Sequence, residues 1–439
     1  MDRSSQGSEA LLGVAETGPR GDGTPPATSR PTLRERVAHH GRGLFKRIVF
    51  ENLLISLGAL LGVMQVLVGH WVLVVFAGLE GPPASLAWTL AGLLVAANVL
   101  AIFPVRIAVR RGGLARRAAR LYIALGLATL ILGGVIALAW AGYLPLAAAL
   151  EALGVGPATA IVVFRAATLP VVATLTFLVL WGFTAGHRKI DHSEQRIALA
   201  GLDERLRGLR VVQISDLHIG NALEGRALAK LVERVNRLAP DLVAVTGDLF
   251  DHDPRFVEEG ARALAGLRAR LGVFAVLGNH DWYTGSEVVA AGLATHAPSV
   301  RLLRGEHVRL PTEAPLYVAG VDDPGKDWTL TGLELPQLET LGRAMPADGP
   351  TILLVHRPEA FPQAARLGFP LVLAGHTHGG QIALPLPGGH WNPARMLTRF
   401  YRGLYEEHRS ILYVNRGYGV AGPRIRFNCP REIATLVLS

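Results

Sequence analysis

Four runs of apolar residues between positions 53 and 186 leave this chain few ways to fold. They are LLISLGALLGVMQVLVGHWVLVVF (53–76), ASLAWTLAGLLVAANVLAIFPV (84–105), LYIALGLATLILGGVIALAWAGY (121–143) and LPVVATLTFLVLWGFTAG (169–186). A helix crossing the hydrocarbon core of a bilayer needs about 20 such residues. Inside a bilayer the backbone must satisfy its own hydrogen bonds, and a helix does so. The expectation is a transmembrane region of about four helices over 49–190. LPLAAALEALGVGPATAIVVFRAAT, between the third and fourth runs, is interrupted by Glu151, Pro157 and Arg165. It reads as an interfacial excursion, with a further span as the alternative. His70 reads as a packed or interfacial polar residue rather than a ligand.

Residues 1–48 are expected to be a disordered basic tail. Gly, Ser, Pro and Thr dominate the first thirty residues, and Arg34, Arg36, Arg42, Lys46 and Arg47 follow. No apolar run follows a basic start there, so the pattern is not that of a signal peptide.

The net charge is +9. Nucleic acid is one partner such a charge admits, but the arginines gather between the apolar runs. Arg106, Arg110, Arg111, Arg116, Arg117 and Arg120 lie in one such stretch, and Arg188 and Lys189 follow the fourth run. The other two connections hold Glu80, Glu151 and only Arg165. Positive residues favour the cytoplasm. Four spans put the three basic stretches, both termini and everything after 190 on that side, and no nucleic-acid partner is expected. If 145–168 also spans, the downstream domain faces outward. Cys429 is the single cysteine, so neither an intrachain disulfide nor a cysteine-based metal site can form.

From about 205 short β-branched runs alternate with helical stretches, an α/β pattern. Strands are expected at RVVQIS (210–215), DLVAVT (241–246), VFAVL (273–277), TILLV (351–355) and LVLA (371–374), with PLYVAGV and SILYVNRG as two more. Helical periodicity covers 224–239 and 253–271. The residues after the first five strands are Asp216-Leu217-His218, Gly247-Asp248, Gly278-Asn279-His280-Asp281, His356 and Gly375-His376-Thr377-His378. One Asp after a strand is usually a cap or a turn. Five ends in succession carrying Asp, Asn or His are hard to produce that way, because ligands of open α/β sheets collect at the carboxyl ends of strands.

These five elements, D-x-H, G-D, G-N-H-D, H and G-H-x-H in that order, resemble the calcineurin-like metallophosphoesterases over about 205–439. The tail, GHTHGGQIALP, LYVNRGYG and PRIRFNCPREI, is similar to the membrane-attached bacterial phosphohydrolases of that family, some of which act on phospholipid-related substrates. Where that subgroup commonly has P-P-E-I, this chain has Pro430-Arg431-Glu432-Ile433, outside the metal motifs.

The resemblance implies a two-sheet α/β sandwich flanked by helices over 200–439, preceded by the all-α transmembrane bundle. It implies that Asp216, His218 and His378 bind one metal, that Asn279, His356 and His376 bind a second, and that Asp248 bridges both. An N/O donor set without thiolate suits Mn²⁺, Fe or Zn²⁺; two divalent ions are expected, Mn²⁺ first, with Fe, Zn²⁺ or Mg²⁺ as alternatives. Such a pair lowers the pKa of a bridging water, binds phosphoryl oxygens and neutralises charge at phosphorus. His280 is placed near the leaving group by the same resemblance, with Asp281 expected to orient its ring; an eighth ligand or a structural hydrogen bond is the alternative for His280.

Weaker candidates are Trp282 and Tyr283 as pocket lining, Gln381 as a hydrogen-bonding neighbour, and Arg416 and Arg424 as phosphate binders or salt-bridge partners. His252 is expected in a solvated loop. The expected protein is a multi-pass enzyme of the cell membrane with a cytoplasmic catalytic domain. Its partners are the lipid bilayer and a phosphoester substrate, a phospholipid-related one among the candidates. Phosphodiester or pyrophosphate cleavage is expected ahead of monoester cleavage. A sensor or transporter with a regulatory metal domain is the competing reading. Transport is disfavoured because His70 is the only ionisable residue in the clear runs, and transport sites usually need intramembrane polar groups.

Overall fold

The computed structural model describes residues 33–439 apart from 112, 222, 326–333 and 387–388. Four long helices come first: α1 (Leu33–Trp71), α2 (Ala84–Arg111), α3 (Gly113–Ala152) and α4 (Pro157–Phe183). Each contains a stretch long and apolar enough to cross a membrane. The expected disordered tail falls partly outside the described residues, at 1–32; helix α1 already begins at Leu33. Large apolar side chains point outward from the bundle, among them Trp88, Leu100, Phe103, Leu138 and Phe177. A helix apolar all round belongs in lipid or in a deep core, and the bundle's own buried cluster is small, made of Trp71, Val75, Ile136 and Phe164.

The interfacial excursion expected over 145–168 does not form. Helix α3 continues to Ala152, Gly154 reverses the chain at φ +79°, and Pro157 opens α4 at its first turn. Proline fits there because the first turn has no use for its missing N–H. Arg165 therefore lies inside a helix long and apolar enough to cross a membrane, and its Nη2 donates to the Val74 carbonyl at 2.7 Å. At 40 residues α3 is about 60 Å long, against a hydrocarbon core of about 30 Å. Its basic first turns extend beyond the apolar part: Arg116 Nη1 reaches the Gly220 carbonyl and Glu224, each at 3.3 Å, and Arg120 Nη2 donates to the same carbonyl at 3.1 Å.

The rest is α/β, and its strands run in order β1 (Ile190–Ile197), β2 (Arg210–Ile214), β3 (Leu242–Thr246), β4 (Val273–Val276), β5 (Val300–Leu302), β6 (Glu306–Arg309), β7 (Tyr317–Gly320), β8 (Thr351–Leu354), β9 (Leu371–Ala374), β10 (Leu384–Leu386), β11 (Gly389–Trp391), β12 (Gly403–Glu407), β13 (Ser410–Val414) and β14 (Arg431–Leu438). One sheet has the order β1-β14-β2-β3-β4-β5, the other β12-β13-β9-β8-β7-β6, and β10–β11 is a separate hairpin. Successive side chains of a strand face opposite sides, and this alternation builds three buried layers. Val211, Ala244 and Val276 of the first sheet meet Val318, Ile352 and Leu373 of the second. Val212, Ile214 and Val245 turn outward under the helices of one flank, and Ala319, Leu353 and Val372 under those of the other. Strand β1 lies before the boundary expected at 200, yet it pairs in parallel with β14 along its whole length, so the sheet begins at Ile190.

Candidate metal centre

Strands β2, β3 and β4 run parallel in one sheet, β8 and β9 in the other, and the chain leaves all five at the same rim. Each exit turns sharply. Nine non-glycine residues among those described have positive φ. Five of them are expected ligands: Asp216 (52°), His218 (47°), Asp248 (51°), His376 (71°) and His378 (52°). Such backbone costs on the order of 1–3 kcal/mol per residue and persists where surrounding structure enforces it. Two glycines make room. A Cβ at Gly278 would overlap the Asp248 carboxylate, and one at Gly375 would overlap Ser215 Oγ and Asp216 Oδ2.

The rim holds three adjoining triads that could take a metal: one is His218, Asp251 and His280, and the other two are drawn from the expected ligands. Asp216, His218 and His378 place one ligand atom each within 4.8 Å of one another, as do Asp248, His356 and His376. His218 Nε2 and His378 Nε2 are 3.0 Å apart. His376 Nδ1 is 3.1 Å from His356 Nε2, and Asn279 Oδ1 is 3.2 Å from that same nitrogen. Asp248 Oδ2 stands between these two triads of expected ligands, 3.7 Å from His218 Nε2 and 3.3 Å from His356 Nε2. All seven expected ligands are thus brought together. Ring nitrogens crowded against one another beside buried carboxylates form a donor set that a pair of cations satisfies, and its nitrogen and oxygen atoms suit Mn²⁺, Fe or Zn²⁺.

The rings are aimed from behind. His356 Nδ1 donates to the Thr246 carbonyl at 2.9 Å, leaving Nε2 for the centre, and His218 Nδ1 lies 3.0 Å from Asp251 Oδ1. Carboxylates and carbonyls behind ligating histidines commonly set tautomer and ring orientation. Electrostatics follow the same layout. Burial lowers His376, and the neighbouring His356 charge adds to it; burial and His218 do the same to His378, with Arg426 contributing. Both rings are thereby kept neutral, the form that ligates metal. Burial opposes charge on Asp248 too, but His356, His280 and His218 outweigh it and hold that carboxyl well below the usual range. Burial likewise opposes charge on His356, yet Asp248 and Asp216 push it up to about 10.

His280 sits at the edge of the centre, its backbone N–H donating to Asp248 Oδ1 at 2.8 Å. The role expected for Asp281 is corrected. Its carboxylate is fully buried and accepts the backbone N–H groups of Leu249, Phe250 and Gly278, so it ties the loops after β3 and β4 together instead of orienting His280. Burial and the Asp248 charge push Asp281 up to about 7 in spite of these donors. The carboxylate beside His280 is Asp251, with Oδ1 3.2 Å from Nδ1. Burial works against a charged His280, but Asp248 and then Asp251 outweigh it and push the ring up to about 9.

Asp251 was not legible as a site residue; three positions beyond Asp248 it reads as one of several loop acids. Arg426 was missed as well. It is fully buried, lies 3.3 Å from His378 Nδ1, and donates to the carbonyls of Arg416, Gly417 and Gly419. Of the weaker candidates, Arg416 is ion-paired with Glu432 and Asp191, and Arg424 donates to the Asn221 carbonyl. Gln381 exchanges hydrogen bonds with the Ala421 backbone. His252 is exposed but stacks on His280, with centroids 4.7 Å apart, and Tyr283 packs edge-on against His280 at 5.3 Å.

Known proteins are similar to this chain in sequence. The family model of the calcineurin-like phosphoesterases matches residues 209–380. An "uncharacterized metallophosphoesterase" of Aquifex aeolicus is 31% identical over 234 residues, 52% of this chain and 85% of that protein. A "transmembrane protein with metallophosphoesterase domain" of Danio rerio is 33% identical over 292 residues, 63% of each chain. The chain belongs to the calcineurin-like phosphoesterase family. It spans 63%, 59% and 54% of the Danio rerio, Campylobacter jejuni and Bos taurus relatives, so in each the match stops short of two thirds. A crystal structure of a dimetal phosphatase from Danio rerio is similar at 14% identity and a TM-score of 0.34, covering 53% of this chain and 93% of that one, too slight a likeness to carry an argument.

Proposed function

We propose that the chain is a multi-pass membrane phosphohydrolase with a cytoplasmic two-metal centre. Phosphodiesters or pyrophosphates, lipid-linked ones included, are its favoured substrates. The observation that carries this reading is the pair of buried triads joined by Asp248. Asp216, His218 and His378 would hold one ion, Asn279, His356 and His376 the other, with Asp248 shared and Mn²⁺ the first choice. Two divalent ions, when bound, supply Lewis acidity, an acidified water and charge neutralisation at phosphorus.

The remaining work belongs to the chain. His280 Nδ1 is engaged with Asp251, which leaves Nε2 to give its proton to the departing oxygen as the ester bond breaks. Asp251 contacts both His218 and His280, so one carboxylate sets a ligand ring and the proton donor together. Glu432 holds Arg416, and Arg426 packs against His378, bracing that ring from behind.

The test is hydrolysis of bis-p-nitrophenyl phosphate and p-nitrophenyl phosphate by the full chain in detergent, stripped of metal and supplied with Mn²⁺, Fe²⁺, Zn²⁺ or Mg²⁺. The whole chain is preferred to a fragment from 195, which would cut β1 in half. Metal-dependent turnover that disappears in Asp248→Asn supports the proposal. Two ions bound per chain without turnover of either ester would favour a regulatory metal domain.

A further inference from the structure

Between the metal centre and β12 the chain leaves the sheets as the β10–β11 hairpin. In its register Leu384 faces Trp391 and Leu386 faces Gly389. Leu384, Leu386 and Trp391 therefore share one face, and no protein layer covers it: they are 42%, 54% and 38% exposed. Met396 and Leu397, just beyond, are 75% and 57% exposed. Elsewhere in the α/β part the large exposed apolar residues are only Val288 and Leu404 among those described. Large apolar side chains left exposed together on one short stretch mark a surface meant to be covered.

Its place in the fold says by what. Ile382, at the foot of β10, bridges to Phe427, and Ala383 N–H donates to the Phe427 carbonyl at 2.8 Å. Phe427 packs edge-on against Trp181 in the last turn of α4, at 5.7 Å. Arg426 N–H donates to the Gly182 carbonyl at 3.2 Å. The hairpin is thus moored to the end of a membrane-spanning helix, at the depth where tryptophans gather at the boundary of lipid and water. Between Gln381 and Gly403 there are three arginines, Arg395, Arg399 and Arg402, and no acidic residue, a charge that complements anionic lipid headgroups.

We infer that the Leu384/Leu386/Trp391 face of this hairpin, with Met396 and Leu397 just after it, lies in the headgroup region of the bilayer that holds the helical bundle. This rests on the membrane reading of that bundle. It places the rim of the metal centre, which ends at His378 three residues before Gln381, against the lipid surface. A phosphate carried on a membrane lipid would then reach the centre without leaving the membrane.

The experiment reads depth, not catalysis. Cys429 is the only cysteine and is buried, so a nitroxide can be placed at Leu386→Cys in the full chain. Leu138→Cys serves as the lipid-facing control and Ala347→Cys as the aqueous one. In nanodiscs of phosphatidylcholine and phosphatidylglycerol, collision with oxygen is compared with collision with a water-soluble nickel chelate. The expected oxygen-to-nickel ratio at 386 is several-fold above that at 347 and approaches that at 138. A ratio equal to that at 347 overturns the inference. So does a label shielded from both reagents and broadened by a second label, which would mean that another copy covers the face. If Leu138→Cys itself reads as aqueous, the membrane reading of the bundle has failed and the inference goes with it. Hydrolysis of bis-p-nitrophenyl phosphate by wild type and Leu386→Cys runs alongside: a wild type active on it and a matching variant show an intact centre, whatever the depth.

Discussion

His280 and Asp251 carry the most exposed part of the chemistry. Replacing His280 with Gln is expected to slow diester turnover by about 10²–10⁴-fold, the usual worth of a positioned general acid, while metal analysis still finds two ions per chain. Loss of an ion instead would make His280 a ligand. Asp251→Asn removes one of the charges that push His280 up to about 9. The ring then loses its proton at lower pH, and because an acid must be protonated to act, the alkaline limb of the pH–rate profile is expected to move down. A limb that stays in place would separate Asp251 from His280. The same charges bear on stability without metal. His280 and His356 are raised above their ordinary value, to about 9 and about 10. Their contribution is whole below about pH 6.5 and is lost as pH rises through those values. Chelated protein should melt at a lower temperature at pH 10 than at pH 6.5, and Asp248→Asn should flatten that dependence; equal slopes in both proteins would remove Asp248 as its origin.

The loops after β3, β4 and β9 act as units, because each leaves its strand through a glycine whose Cβ would overlap a neighbouring loop. Gly278 shows this most directly. Its Cα lies against the Asp248 carboxylate, and the amide of His280 is aimed at that same carboxylate. Gly278→Ala must push apart the β3 and β4 loops, so bound metal should fall from two ions per chain toward one, with turnover lost in parallel. Retention of two ions and full rate would mean that the loop can give way. The five expected strands ahead of the metal motifs formed within a residue of their expected ends, since buried β-branched runs between glycines have little else to do. Strands β1 and β14 were not read that way. β1, IDHSEQRI, is polar at every position between its two terminal isoleucines, and only its pairing with β14 makes it an edge of the sheet.

Four long apolar helices form among the described residues, so the chain enters the first and leaves the last on one side of a membrane if all four cross it. A fluorescent protein fused after Ser439 should then fold and emit in the cytoplasm, and an alkaline phosphatase fusion at the same point should be inactive; the opposite pair of signals would reverse the proposed orientation. The helical count was nearly legible in the sequence. Hydropathy over some 20 residues is a property of a segment alone, and so is the order of motifs after strands. The stretch 145–168 was misread because Glu151, Pro157 and Arg165 look like interruptions. They prove to be a helix end, a helix start and an arginine whose charge is met by a carbonyl from another helix. The seven expected ligand positions could be named from a resemblance, but nothing in residue order shows which carboxylate stands beside His280. Asp281 is adjacent in sequence and turns to the backbone, whereas Asp251 arrives from the neighbouring loop. Local pattern specifies elements because their hydrogen bonds and burial periodicity are local. The company each buried charge keeps is set by contacts between distant segments, and those exist only once the two sheets have packed.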